Sequence, residues 1–284
     1  MFYSPMLLQY AVNNQPYNSP SHVAELKLDG FRLLVSNMDK LKLYTRHNND
    51  VTSKFSELYD SPLSNGTILD GELIVSDQDG KPDFEAMVTR FKSKKSKDKV
   101  TFCAFDIIRY KGIDVTSLPL LRRKELLEES FLENDYYKKV KMVEGDTLEY
   151  FKLIQQHGLE GIVIKKKDSK YEIDRRSWSW QKVINWTYAE VYITGYRKKD
   201  FGWLTSIDTM DGSKRPSGFI EFGVTPEHKK ALNSVKHRLT YKEDKSFVYM
   251  EPMIKARVKT RNWTKNGMLR SPVLLSLFCD VSAL

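Results

Sequence analysis

Cysteine is nearly absent: Cys103 and Cys279 are the only two in 284 residues. They supply neither a disulfide framework nor a zinc-ligand set, so a reducing, cytoplasmic compartment is expected. No stretch reaches the ~20 consecutive apolar residues of a membrane span, which excludes a membrane-spanning role. The opening MFYSPMLLQY has no basic region ahead of its apolar residues, which speaks against a secretory signal. The five histidines, at 22, 47, 157, 228 and 237, show no metal-ligand spacing and receive no role. There is no internal repeat. One short low-complexity run, KSKKSKDK over Lys92–Lys99, reads as a solvated helix end or loop.

What is present is a folded composition, 40% apolar and 29% charged, long enough for two domains. Basic residues outnumber acidic ones 46 to 37, a net charge of +9. The excess is uneven: 17 basic against 10 acidic residues from Thr187 onward, and 29 against 27 before it. A polyanion partner is the first expectation, because basic side chains release condensed counterions from phosphates. On charge alone, a merely soluble basic domain fits equally well.

The first half reads as α+β. His22–Ser36 alternates polar and apolar residues around Asp29-Gly30, predicting strand, turn and strand. Leu41–Arg46 and Thr67–Val75 read as further strands, and the nearly continuous apolar run Val100–Tyr110 as a buried one. Asp83–Asp98, Leu120–Glu133 and Thr147–Gly158 carry helical signals. Gly158–Asp168 turns from a glycine stop into a strand. After Trp186 the texture changes to short strands between Gly, Asp and Ser turns, interrupted by one helix over Pro226–Leu239. That pattern predicts a small β-barrel of the OB-fold kind. The expected domains are therefore 1–186 and 187–284, with a hinge near Asn185–Ala189. Trp178, Trp180 and Trp186 are expected to pack at the junction.

The chemistry concentrates in Glu25-Leu26-Lys27-Leu28-Asp29-Gly30-Phe31-Arg32. In a strand, Glu25, Lys27 and Asp29 share one face, and Gly30 permits a sharp turn. A lysine between two carboxylates on a pocket face is unusual for a structural surface, although alone it could be an ordinary ion pair. Further strings follow in order. They are Arg46 within YTRHNNDVT, Asp70-Gly71-Glu72, Phe105-Asp106, Glu160-Gly161-Ile162-Val163, and Arg176-Ser177 followed by Trp180-Gln181-Lys182-Val183.

This ordered set resembles the covalent nucleotidyltransferase superfamily, and within it the ATP-dependent DNA ligases. The likeness is strongest to the compact two-domain ligases of bacteria and bacteriophages, including Bacillus-type prophages, and to the ligase domain of bacterial DNA ligase D. The resemblance implies a nucleotidyltransferase (adenylation) domain of antiparallel sheets and helices over 1–186 and a DNA-binding OB-fold over 187–284. It implies that a monomer seals 3′-hydroxyl/5′-phosphate nicks in duplex DNA. Lysine would attack the α-phosphate of ATP, AMP would pass to the DNA 5′-phosphate, and the 3′-hydroxyl would expel AMP. A lysine with the reference pKa of ~10.4 is neutral in only about one molecule in a few thousand at pH 7. Nearby positive charge and desolvation are therefore needed to activate it.

By the same resemblance, Lys27 would be the nucleophile, with Lys182 and a bound magnesium or manganese ion supplying the charge. Glu25 would accept a hydrogen bond from the adenine amino group, and Phe105 would stack on the purine. Glu72 would hold the ribose hydroxyls and, with Glu160, the metal. Arg32 and Arg46 would contact phosphate. Asp29 would act near the metal and the 3′ end. ATP is a co-substrate in this scheme.

Three departures from the family pattern stand out. Asn48 replaces the glycine of the arginine-bearing loop. Ile184 occupies the second lysine position of the fifth motif, for which Lys165, Lys166 or Lys167 could compensate. Phe278-Cys279-Asp280-Val281 keeps only the aspartate of the C-terminal R-x-D-K motif, with Arg270, Lys255, Arg257 and Lys265 as candidate substitutes. Self-adenylylation is therefore expected to be slow relative to nick sealing. The turn-rich, basic segment Gly212–Ser217 is a candidate DNA-contacting loop. Competing readings are an RNA ligase, an mRNA-capping guanylyltransferase, and a non-catalytic nucleic-acid-binding relative. Glu25 argues against a GTP user, and the complete Glu25–Arg32 string argues against a retired site.

Overall fold

The nearly continuous apolar run of Val100–Tyr110, and the apolar pair Ile68-Leu69 and triplet Leu73-Ile74-Val75 within Thr67–Val75, demand cover on both faces. Both segments become central strands in the computed structural model, which describes residues 1–93 and 95–279. The chain divides into two units, Met1–Asn185 and Trp186–Leu284. In the first, the order is β1 (Leu7–Tyr10), β2 (His22–Leu26), β3 (Phe31–Asn37), β4 (Leu41–Thr45), β5 (Thr67–Val75), α1 (Phe84–Lys92), β6 (Val100–Tyr110), β7 (Ile113–Asp114), α2 (Leu120–Ser130), β8 (Tyr137–Lys139), β9 (Met142–Val143), α3 (Thr147–Gln156), β10 (Gly161–Lys166) and β11 (Arg176–Ile184).

Two mostly antiparallel sheets result. One runs β1-β11-β10-β2-β9 and the other β4-β3-β5-β6-β7, with β8 added parallel to β6. Strand alternation sorts each side chain to a layer. Ala24, Ile162 and Ile164 face Phe151 and Ile154 of α3. Their neighbours Val23 and Trp180 meet Leu34, Ile68 and Ile108 of the other sheet. Leu33, Val35, Leu69 and Leu73 turn the opposite way, into a core shared with Met87 of α1 and Leu127 of α2. The inner faces of the two sheets thus confront each other, and the positions next along β2, β3, β5 and β10 are polar.

Helix ends follow local rules. Asp83 caps α1 by accepting from the Ala86 N–H at 3.0 Å, and Asp146 caps α3 from Glu149 at 3.1 Å. The helix expected over Asp83–Asp98 ends at Lys92, so much of the lysine run lies beyond it.

The second unit contains β12 (Thr187–Arg197), β13 (Trp203–Asp208), β14 (Lys214–Ile220), α4 (Pro226–Leu239), β15 (Thr240–Glu243), β16 (Phe247–Thr260) and β17 (Val273–Cys279). The sheet order is β14-β13-β12-β16-β15, with β17 also on β16. A parallel bridge joins Phe222 to Val273, and the Leu274 N–H donates to Phe222 O at 2.9 Å. Val191, Ile193, Ala256 and Val258 point inward to a core with Trp203 and Leu232. The alternate positions point outward. There the register pairs Tyr188 with Lys259, Glu190 with Arg257 and Tyr192 with Lys255. Lys259 and Arg261 lie over the Trp186 ring at 4.9 and 4.8 Å, and Lys214 over Tyr192 at 3.7 Å. The supposed loop Gly212–Ser217 is corrected: Lys214–Ser217 belongs to β14 and Ser217 is fully buried. Among the described residues, no helix is long and apolar enough to cross a membrane.

Candidate active site

Between the confronting sheets of the first unit lies a partly open cleft. Glu25, Lys27, Val163, Lys165 and Trp180 line it from one sheet, and Arg32, Glu72 and Phe105 from the other. The polar positions singled out above are therefore the inward phase of strands whose other phase builds the cores.

Strand β2 stops at Leu26, so Lys27 sits at the mouth of a turn rather than mid-strand. Its N–H still donates to Gly161 O at 2.9 Å, which ties it to the start of β10. Gly161 adopts φ +149°, and a Cβ there would fall 2.1 Å from Val183 O. Only glycine lets β11 pass this close to the residue following Glu160. The Lys27 Nζ donates to Glu160 Oε2 at 2.7 Å, which joins Glu160 to the cleft. Gly30 is equally constrained, since a Cβ would lie 2.2 Å from Leu73 O.

Arg32 stands opposite Glu72 in the β3–β5 ladder. Its Nε donates to Asp70 Oδ1 at 2.6 Å and its Nη2 to Asp70 Oδ2 and to Met6 O. Tyr171 also donates to Asp70, at 2.6 Å. Burial would lower the Arg32 pKa, but the Asp70 carboxylate overrides it and the guanidinium is held more firmly protonated. Arg32 lies 4.7 Å from the Phe105 ring centre, and Lys165 lies 4.8 Å from it. Phe105 is half-buried and lines the cleft, whereas the next residue, Asp106, is fully buried in a bidentate pair with Arg123 at 2.8 and 2.9 Å.

Glu72 is half-buried, and desolvation pushes its carboxyl up to about 8. Lys27 and Arg32 oppose that push, while Glu160 adds to it. Two adjacent carboxylates of this kind fit a magnesium ion, which takes one or two protein oxygens and completes its shell with water and substrate phosphate. Among the described residues, no cluster of three or more His, Cys, Asp or Glu side chains offers an all-protein cage.

The structure thus gathers Glu25, Lys27, Arg32, Glu72, Phe105 and Glu160. Asp29 sits in the same turn, half-exposed. Lys182 is not among the residues lining the cleft. It pairs in register with Val163, and its Nζ lies 4.0 Å over the Tyr10 ring. Arg46 is exposed in the turn after β4. Asn48 adopts φ +62° there, so asparagine supplies the left-handed geometry for which glycine is usual. Of the three lysines on β10 and just after it, only Lys165 faces the cleft. Lys166 and Lys167 pair outside with Asp168 and Glu144. Ile184 is buried. Asp280 and Val281 of the C-terminal motif lie outside the described residues.

Trp180 is corrected. Rather than packing at a junction, it is fully buried in the first unit, edge-on to Phe105 and Tyr171. Trp178, by contrast, is largely exposed. Sequence reasoning also missed Leu8 on the cleft wall and Lys124, which pairs with Glu25 from α2. Helical periodicity over Leu120–Glu133 carried no mark of the partner that Lys124 meets, because Glu25 lies about a hundred residues earlier in the chain.

Comparison with known proteins agrees with this geometry. Residues 5–183 match the family model described as the ATP dependent DNA ligase domain. The sequence is 45% identical to the SPbeta prophage-derived DNA ligase-like protein LigB of Bacillus subtilis (strain 168), over 96% of this chain and 97% of that one. It is 29% identical to the multifunctional non-homologous end joining DNA repair protein LigD of Mycobacterium tuberculosis (H37Rv), over 87% of this chain but 34% of that protein. Among solved structures it is similar to a mycobacterial DNA ligase D complexed with ATP and MES. That TM-score is 0.61 at 26% identity, covering 98% of this chain and 95% of the other.

Proposed function

The chain belongs to the ATP-dependent DNA ligases, and from that premise we propose that it seals 3′-hydroxyl/5′-phosphate nicks in duplex DNA through adenylate carried on Lys27. The observation that carries this reading is a primary amine, Lys27 Nζ, lining the cleft between the two sheets and 2.7 Å from a carboxylate oxygen of Glu160.

In this reading the purine enters between Phe105, Trp180 and Val163, with its amino edge toward Glu25. Glu72 meets the ribose. Asp70 and Met6 hold the Nε and Nη2 of Arg32, which leaves Nη1 for phosphate. Lys27 attacks the α-phosphate as the neutral amine, its proton passing to solvent, so that an N–P bond forms as pyrophosphate leaves. Glu72 and Glu160 would hold the divalent ion, which when bound neutralises charge on the phosphates and favours a neutral amine. AMP then passes to the DNA 5′-phosphate, and the 3′-hydroxyl displaces it. Asp29, at the same turn as Lys27, is placed to act in these later steps. Lys182 would add positive potential from β11, and Arg46 a phosphate contact.

We read the second unit, 187–284 with Trp186 at its boundary, as an OB-fold barrel that docks on the duplex. Two observations support this. Five strands connect as 1-2-3-5-4-1 once the Phe222–Val273 bridge is counted, with a helix between the third and fourth. The outer face interleaves Tyr188, Tyr192 and Trp186 with Lys255, Arg257, Lys259 and Arg261. That composition suits sequence-independent phosphate contact.

The test is a nicked duplex incubated with enzyme, magnesium and ATP or GTP. Sealing is expected with ATP and is lost in Lys27→Ala. Equal sealing by Lys27→Ala would refute the assignment.

A further inference from the structure

Glu25 is held in a way that a structural role does not require. It is 2% exposed, and each carboxylate oxygen meets a different lysine. Oε1 pairs with Lys124 of α2, and Oε2 with Lys165 of β10 at 2.6 Å. Both lysines are buried. The adjacent Asp106–Arg123 pair closes on itself, and Arg123 spends its remaining donor nitrogen on Leu118 O and Ser169 O. Glu25 and its two lysines therefore carry a surplus positive charge, which the field of the nearby Asp106 only partly offsets, an arrangement that costs stability when buried.

The surplus makes sense in terms of the cleft. Glu25 lines it. A carboxylate has roughly four acceptor positions, and two lysines occupy two of them. The carboxylate is thereby held between two ammonium groups, and Oε1, ion-paired with Lys124, makes no hydrogen bond among the described residues, which leaves acceptor capacity for a ligand donor. An acceptor so fixed favours a purine carrying an amino group at position 6 over one carrying hydrogen or a carbonyl there. Lys165 also lies against the Phe105 and Trp180 rings, at 4.8 and 4.1 Å, so its own position is set by packing. Among the described residues, Lys124 pairs with Glu25 and lies 3.4 Å from the Val140 carbonyl. Burial pushes the Lys165 ammonium down to about 8 despite Glu25.

We propose that Lys124 is a specificity-positioning residue, which through Glu25 makes the nucleotide cleft read the 6-amino group of the purine. It touches no substrate atom. The inference rests on Glu25 facing the purine amino edge, and the experiment separates failure of that reading from failure of the proposal.

Self-adenylylation is measured with ATP and with purine riboside triphosphate, which carries hydrogen at position 6. Wild type should prefer ATP by roughly ten- to a hundredfold, the range of one charge-assisted hydrogen bond. Lys124→Met should reduce that preference to within about threefold, through KM for ATP rather than kcat, and Lys124→Arg should restore most of it. Lys124→Gln, which keeps a donor without the charge, should fall between and serves if Lys124→Met fails to fold. A Lys124→Met or Lys124→Gln enzyme that slows equally with both nucleotides would overturn the proposal and leave Lys124 a structural residue. A wild type that does not distinguish the nucleotides, together with an unaffected Glu25→Gln, would instead remove the reading of Glu25 itself.

Discussion

Arg123→Met removes the one guanidinium on which a fully buried carboxylate depends. Arg123 and Asp106 are both 0% exposed. The guanidinium makes four hydrogen bonds, two to Asp106 and two to the carbonyls of Leu118 and Ser169. Removing one partner of a buried pair costs about 3–5 kcal/mol. Two orphaned carbonyls add roughly 1 kcal/mol each. Against a typical domain stability of about 5–15 kcal/mol, a loss of about 5–7 takes a large share. For a unit of this size each kcal/mol moves Tm by about 2–4 °C, so a fall of roughly 10–30 °C is expected. The double variant Asp106→Leu/Arg123→Met removes both charges of the pair and should recover most of the pair penalty, retaining the carbonyl cost of about 2 kcal/mol and the loss of the acceptor of the Ile107 N–H. Urea unfolding followed by far-ultraviolet circular dichroism and tryptophan fluorescence measures both. A single variant within about 1 kcal/mol of wild type, or a double variant less stable than the single, would refute the reasoning.

The pH dependence of stability follows from Glu72, whose carboxyl is raised by burial from 4.5 to about 8. The stability it contributes is fully present below 4.5 and is lost as pH climbs through 8. The wild-type first unit should therefore weaken between about pH 5 and 9, and Glu72→Gln should flatten that decline in thermal melts; parallel curves would count against it. On the barrel, Arg257→Glu with Lys259→Glu should weaken nick binding at low salt at least tenfold and flatten the log Kd–log salt slope by about 2. Self-adenylylation, which needs no DNA, controls for folding. In the turn after β4, Asn48→Gly should be tolerated, whereas Asn48→Ala should cost about 1 kcal/mol in chemical denaturation, because φ is +62° there.

Much of this was legible because strand alternation is a strong signal. Glu25 and Lys27 could be placed on one face from their spacing, Arg32 and Glu72 only through the family resemblance, and β6 and α4 occupy the expected runs Val100–Tyr110 and Pro226–Leu239. What escaped was long-range. Strand β1 has four residues and pairs parallel with β11, some 170 positions away, so Leu8 carried no local mark of its place in the cleft. The strands Tyr137–Lys139 and Met142–Val143 are too short to show a period. Arg123 and Lys124 carried no local mark of their pairing because their acidic partners, Asp106 and Glu25, arrive from other strands. The left-handed turn at Asn48 shows why a departure from the family pattern need not change geometry.

The most direct measurement is peptide-level mass spectrometry of enzyme exposed to ATP and magnesium, then to nicked DNA. The account predicts AMP on the Lys27 side chain, its disappearance when the nick is added, and none in Lys27→Ala. Sealed DNA from an enzyme whose Lys27 never carries AMP would contradict it.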